Sequence, residues 1–263
     1  MRALASLLGL VAVLGSAALS RPAEAQPRSR SRARMASSAY RQQVQRWHTA
    51  ARVPEARTTP DGRFVLRLVS INSREAAEVT PRGPDGGFDE AARADVARVL
   101  GDSRTHQTHP IDRRLIDILY GMARHFQVGQ VNVVSGYRAE ANHSNHALGR
   151  AVDVVLPGVR DAQVAEWARG QGFVGVGVYP SSGFVHIDVR NHSFFWVDRS
   201  APARTVRRSS NRRRRRRGSL HPILGTLAQQ ADRDAAARGV RPLGGTDRDV
   251  PEVSAGADDT DDE

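Results

Sequence analysis

The chain contains no cysteine and no lysine. The first absence excludes disulfides, thiolate-ligated zinc, iron–sulfur ligation and a thiol nucleophile. The second makes all 39 Lys+Arg residues arginine, a bias that a GC-rich codon pool explains at least as well as a phosphate-binding surface does. Aromatic residues are scarce at 5%, and the 40% hydrophobic content builds a core only where it is concentrated. A length of 263 residues leaves space for one catalytic-sized domain plus appendages, or at most two small domains.

The formal charge of +11 is unevenly spread. Residues 26–60 hold eight Arg against one Glu, whereas residues 61–199 hold sixteen Arg and sixteen acids. Residues 200–263 hold thirteen Arg and ten acids. The middle of the chain is therefore neutral and the basicity belongs to its flanks, which removes the argument for a nucleic-acid-binding core.

Residues 1–25 read as a cleaved export signal. Arg2 precedes a mostly apolar run, Ala3 to Leu19, and Ala23-Glu24-Ala25 fits a small-x-small cleavage pattern before Gln26. The run is short for a membrane span of about 20 residues. The mature protein is then expected in the periplasm or cell envelope. Residues 26–60, rich in Arg, Ser, Ala and Pro, read as a mostly flexible arm in which only Tyr40 to Trp47 has helical character. Residues 200–263 read as a disordered tail, with the unbroken run Arg212–Arg217, a short helix at Pro222–Ala237, and an acidic end. The arginine run offers a contact for anionic envelope polymers or lipid headgroups; export argues against nucleic acid.

The neutral middle reads as a folded domain over 61–199. A strand is expected from Phe64 to Ile71, with Phe64, Leu66 and Leu68 on one face. Helical character runs from Phe88 to Leu100. Ile111, Leu115, Ile118, Leu119, Met122 and Phe126 then form one helical stripe, which is core. Strands are expected at Val131–Val134, Ala151–Leu156, Val174–Val178 and Phe184–Val189, with a helix at Ala162–Gly170. Mixed helices and short strands make the class α+β, with the strand order not legible.

Chemistry concentrates in one part of that domain. The string Ser144-Asn145-His146-Ala147-Leu148-Gly149-Arg150-Ala151-Val152-Asp153 follows Ser135-Gly136-Tyr137-Arg138, and Val185-His186-Ile187-Asp188 comes 32 residues after Asp153. His146, Asp153 and His186 make a three-ligand set for one Zn²⁺ with a fourth position open, the pattern of a catalytic zinc. The other histidines outside this string, among them His48, His109 and His125, read as ordinary surface or core residues.

At these residues the chain resembles the D-alanyl-D-alanine-peptidase-like zinc metallopeptidases of the VanX and VanY type, and more closely the periplasmic murein endopeptidase branch that includes MepK. The likeness runs from about Phe64 to Trp196. It implies a small antiparallel sheet with flanking helices, one zinc ion, and hydrolysis of peptide bonds in peptidoglycan stems or cross-links. It also implies that Arg138 contacts the scissile carbonyl, a role suited to a guanidinium that never loses its proton. Two departures stand out. Many relatives carry an acid or His just upstream of the second metal histidine, whereas this chain has Gly183 and Phe184 there. Asp188 is the substitute, since strand alternation projects it beside His186. It acts either as general base or as the acceptor orienting His186; His143 is a further candidate base. The loop between Arg138 and His146 is also short, at seven residues. Two other readings of the chain remain: a noncatalytic zinc-containing wall-binding module, and a polyanion-binding envelope protein acting through Arg212–Arg217.

Overall fold

The structure is a computed structural model that describes residues 37–83, 86–141, 143–200, 202 and 222–243. The expected export signal, the Arg212–Arg217 run, the acidic end and Asn142 lie outside the described residues.

Two helical pieces open the described chain, α1 (Ser38–Trp47) and a 3₁₀ turn at Ala50–Arg52. Then come β1 (Leu66–Ser70), β2 (Ala76–Val79), α2 (Glu90–Val99), α3 (Arg113–Phe126), β3 (Val131–Ser135) and β4 (Ala151–Val155). The remainder is α4 (Asp161–Arg169), β5 (Val174–Tyr179), β6 (Phe184–Val189), β7 (Phe194–Val197) and α5 (Pro222–Ala237).

The strands form one seven-stranded sheet in the order β2-β1-β3-β4-β6-β5-β7. This corrects the expectation of a small antiparallel sheet: β1 pairs parallel with β3, and β5 parallel with β7. The α2–α3 segment carries the chain back before β3 begins, so β3 enters alongside β1 in the same direction. Strands β2 and β7 were not anticipated, β2 because its sequence Ala-Ala-Glu-Val carries little strand signal.

One face of the sheet carries the main core. Leu66 and Leu68 of β1, Val131 and Val133 of β3, Val152 and Val154 of β4, and Val185 and Ile187 of β6 are buried there with α2, α3 and α4. The stripe on α3 behaves as its spacing dictates, with Leu115, Ile118, Leu119 and Met122 all buried. Each such side chain contributes about 1.5–3 kcal/mol on leaving water. The helix starts where Asp112 accepts a hydrogen bond from Arg114 N at 2.9 Å and ends with Gln127 in the left-handed region.

The other face is patched by a smaller cluster of Val155, Tyr179, Phe184 and Trp196, with Trp47, Val134 and Phe194 at its edge. Here the structure departs from the expected arm. Within residues 37–60, α1 is fastened to the β5–β6 turn: Tyr40 Oη donates to Ser182 O at 3.1 Å, and His48 Nε2 lies 3.1 Å from Gly183 O. The tail differs likewise. Asp232 on α5 accepts from Phe173 N, Ser193 N and Ser193 Oγ at 2.6–2.9 Å, and Ala228 packs into the main core. Both segments gain order from contacts with distant residues, which local composition does not encode.

Candidate metal centre

The functional side chains stand on the face opposite the main core. Register puts Asp153 of β4 beside His186 of β6, and Ala151 beside Asp188. Alternation then sends Asp153, His186 and Asp188 to one side of the sheet while Val152, Val154, Val185 and Ile187 enter the core on the other. His146 arrives from the turn before β4. Gly149 shapes that turn, at φ +64° and with a hypothetical Cβ only 2.2 Å from Pro110 O, so no other residue fits.

His146, Asp153 and His186 are buried, and their ligand atoms lie within 4.8 Å of one another. His186 Nδ1 is 2.9 Å from Asp153 Oδ1 and 3.3 Å from His146 Nε2, and His146 Nε2 is 3.7 Å from Asp153 Oδ1. A tetrahedral zinc with bonds of about 2.0–2.1 Å sets its ligands roughly 3.3 Å apart, so the three atoms fit that ion. Their outer bonds fit it too. His146 Nδ1 lies 2.6 Å from Gly136 O and must donate there, which leaves Nε2 as a lone-pair donor. His186 Nε2 lies 2.9 Å from Asp188 Oδ2, which leaves Nδ1 facing the set.

Asp188 therefore meets His186 through the ring nitrogen remote from Asp153. Its carboxylate also accepts from Arg190 Nε and Nη2, both at 2.6 Å. Burial raises the Asp188 pKa, but the Arg190 charge and the His186 contact outweigh it and hold the carboxyl well below its usual range. For His186, burial lowers the pKa, yet hydrogen bonds to Asp153 and Asp188 dominate and push it up to about 9. Arg138 is buried between Ser135 and Asp153, with Nε 2.8 Å from Ser135 Oγ and Nη2 2.7 Å from Asp153 Oδ2. It grips the carboxylate oxygen that the histidines leave alone. A register shift in β3 between Val133 and Ser135 turns Ser135 toward this position. His143 is exposed in the loop at φ +63°.

Several contributors were not singled out from the sequence. Arg190 lies one residue past the end of β6 and two after Asp188, so its spacing was visible in the sequence. Gly175 and Gly177 of β5 face Asp188 and His186 in register. A Cβ on Gly175 would stand 2.2 Å from Asp188 Oδ2, and one on Gly177 would stand 2.3 Å from Trp196 Cε2. The Trp196 ring lies 5.2 Å from that of His186 and is pinned by Nε1 donating to Tyr179 Oη at 3.1 Å. Asp102 holds the other side, accepting from Ala139 N at 2.9 Å next to Arg138. Gly183 explains the missing upstream group. It sits at φ +73° with Val44 of α1 where a Cβ would go, at 2.2 Å, and Phe184 is buried in the small cluster.

The family model described as peptidoglycan L,D-endopeptidase MepK matches residues 57–193. A Haemophilus influenzae protein named a probable peptidoglycan L,D-endopeptidase MepK is 29% identical over 117 residues, 39% of this chain and 63% of that relative's length. The Escherichia coli K12 peptidoglycan L,D-endopeptidase MepK is 28% identical over 138 residues, 46% of this chain and 76% of the relative. No solved structure matches the chain. Among the described residues no helix is long and apolar enough to cross a membrane. With its matched span covering just over half of the sequence and containing His146, Asp153 and His186, the chain belongs to the MepK family of peptidoglycan L,D-endopeptidases.

Proposed function

We propose that this protein is an exported, zinc-dependent hydrolase of peptide bonds in peptidoglycan stems or cross-links. The observation that carries the reading is the convergence of His146 Nε2, Asp153 Oδ1 and His186 Nδ1 on one point, inside the span matched by an endopeptidase family. A zinc ion held by these three residues would supply a Lewis acid and would lower the pKa of water to about 7. Arg138 occupies Asp153 Oδ2, which leaves Oδ1 as the carboxylate oxygen that would face the ion. The same guanidinium, itself buried, provides a fixed positive charge for the scissile carbonyl oxygen as negative charge develops there. Asp188 acts as a positioning residue: it accepts from His186 Nε2, fixes the tautomer and raises the basicity of Nδ1. Its engagement by Arg190 favours this role over that of general base. Export rests on the apolar run Ala3–Leu19 and the Ala23-Glu24-Ala25 pattern.

The test is mass spectrometry of muropeptides after incubation of purified sacculi with zinc-loaded protein. New peptide ends are expected with the wild type and none with His146→Ala, which also loses the ion. Cleavage by His146→Ala at the wild-type rate overturns the metal assignment. Binding to sacculi without release by the wild type identifies a noncatalytic wall-binding module instead.

A further inference from the structure

A concavity lies on the same sheet face as the candidate metal centre, over the neighbouring strands β1 and β3 and beside the end of α1. It is a shallow, open hollow of about 330 Å³ lined by Arg46, Trp47, Ser70, Arg74, Gln130 and Asn132 among others. The floor is polar, neutral and fixed. Asn132 Nδ2 donates to Trp47 O at 2.9 Å, and Gln130 Nε2 donates to Asn132 Oδ1 at 2.7 Å. The charge at this site comes from the two arginines. Among the described residues neither guanidinium is paired with a carboxylate, because nearby acids are engaged elsewhere. Glu75, beside Arg74 in the chain, turns to Arg98, and Glu78 takes Arg57 and Arg67. Two exposed cations thus converge over a polar hollow that contains no acid.

Register relates the hollow to the metal centre. Asn132 pairs with Val155, two residues along β4 from Asp153. One strand spacing and two residue rises put Asn132 about 8 Å from Asp153. An extended peptide advances about 3.3 Å per residue, so a chain whose scissile bond lies at the metal centre reaches the hollow within roughly two to three residues. Val134 and Trp47 give the path between them an apolar lining.

We infer that this hollow is a substrate subsite in which Arg46 and Arg74 bind a carboxylate of the peptide, two to three residues from the bond to be cut. The inference rests on the hydrolase reading above. A guanidinium meets a carboxylate through two parallel N–H···O bonds, and two guanidiniums over a neutral floor select a negative group over its uncharged amide. Trp47 supplies one wall, and its carbonyl ties that wall to β3 through Asn132.

The experiment uses the full-length zinc-loaded protein with a linear stem tetrapeptide bearing free carboxylates, and the same peptide with those carboxylates converted to carboxamides. Binding is measured by isothermal titration calorimetry and turnover by mass spectrometry. The wild type is expected to bind the acid peptide at least tenfold more tightly than the amide. In Arg46→Gln/Arg74→Gln the KM for the acid peptide rises about tenfold and that preference disappears. Both side chains are exposed, so the double variant keeps the fold. Equal wild-type affinity for acid and amide overturns the subsite, as does a double variant with the wild-type KM. If no peptide is cleaved by any form, calorimetry still decides the subsite, which loss of acid-peptide binding in the double variant upholds, while the hydrolase reading is judged separately on muropeptide release from sacculi.

Discussion

Replacing Asp188 by asparagine separates two roles that sequence alone leaves equivalent. The carboxylate is 1% exposed and joined to Arg190 at two donors and to His186 at one. Asparagine retains one oxygen for Arg190 Nε, and puts an amide N–H₂ where Oδ2 met both His186 Nε2 and Arg190 Nη2. That donor reverses the hydrogen bond and drives the ring proton to Nδ1, the atom that faces Asp153 and His146. Outer hydrogen bonds of this type are worth about 10–100-fold in metal affinity. Stability falls as well. Breaking a buried ion pair costs about 3–5 kcal/mol, but Arg190 is 26% exposed and keeps part of its solvation, so about 2–3 kcal/mol is expected here. For a domain of this size that is roughly 5–10 °C in Tm. The assay titrates zinc into the metal-free variant and follows muropeptide release across the titration. A positioning role predicts a zinc Kd raised 10–100-fold, with activity largely recovered once the metal saturates. Unchanged zinc affinity with activity still absent at saturation refutes the reasoning and makes Asp188 the proton acceptor.

Metal removal gives the chain an alkaline weakness. His186 is pushed up to about 9 from 6.5, so its contribution to stability is fully present below pH 6.5 and is lost as the pH rises through about 9. Asp188 has the opposite sign, its contribution being present above 3.8 and lost as the pH falls. The Tm of EDTA-treated protein is expected to drop between pH 6.5 and 9, while zinc, whose binding displaces that proton, gains affinity over the same window. An apoprotein Tm that is flat across the window contradicts the His186 assignment. Gly177→Ala is a purely steric test. The added Cβ meets the Trp196 indole, which its bond to Tyr179 keeps in place, so overpacking of about 1–3 kcal/mol is expected together with a displaced aromatic wall beside His186. Thermal unfolding and the fluorescence of Trp196 read the outcome; an unaltered Tm shows that the ring moves without resistance.

Much of the site was written locally. The clustering of His146, Asp153 and His186 was legible because these residue types are rare together and because period-two alternation fixes which side of β6 His186 and Asp188 share. The helices were legible for the corresponding reason: the stripe from Ile111 to Phe126 has one periodicity and the core has one side. In the described parts of the arm and the tail, composition shows the helices but not their docking. Residues 37–60 carry four Arg against one acid, yet Tyr40 and His48 bond to a turn some 135–142 residues away. Helix α5 was legible as a helix, but not its docking through Asp232.

By itself, then, the sequence determined the α+β class, the neutral charge of the folded region and the three candidate residues His146, Asp153 and His186, since these follow from residue type and local period. Tertiary structure alone decided the rest. It set the mixed order of the sheet, because pairing depends on where α2 and α3 return the chain. It turned Asp188 away from the ligand point and toward Arg190, because the choice between the two nitrogens of His186 is made by neighbouring strands. It also explained Gly183, where α1 occupies the space that an upstream acid would need.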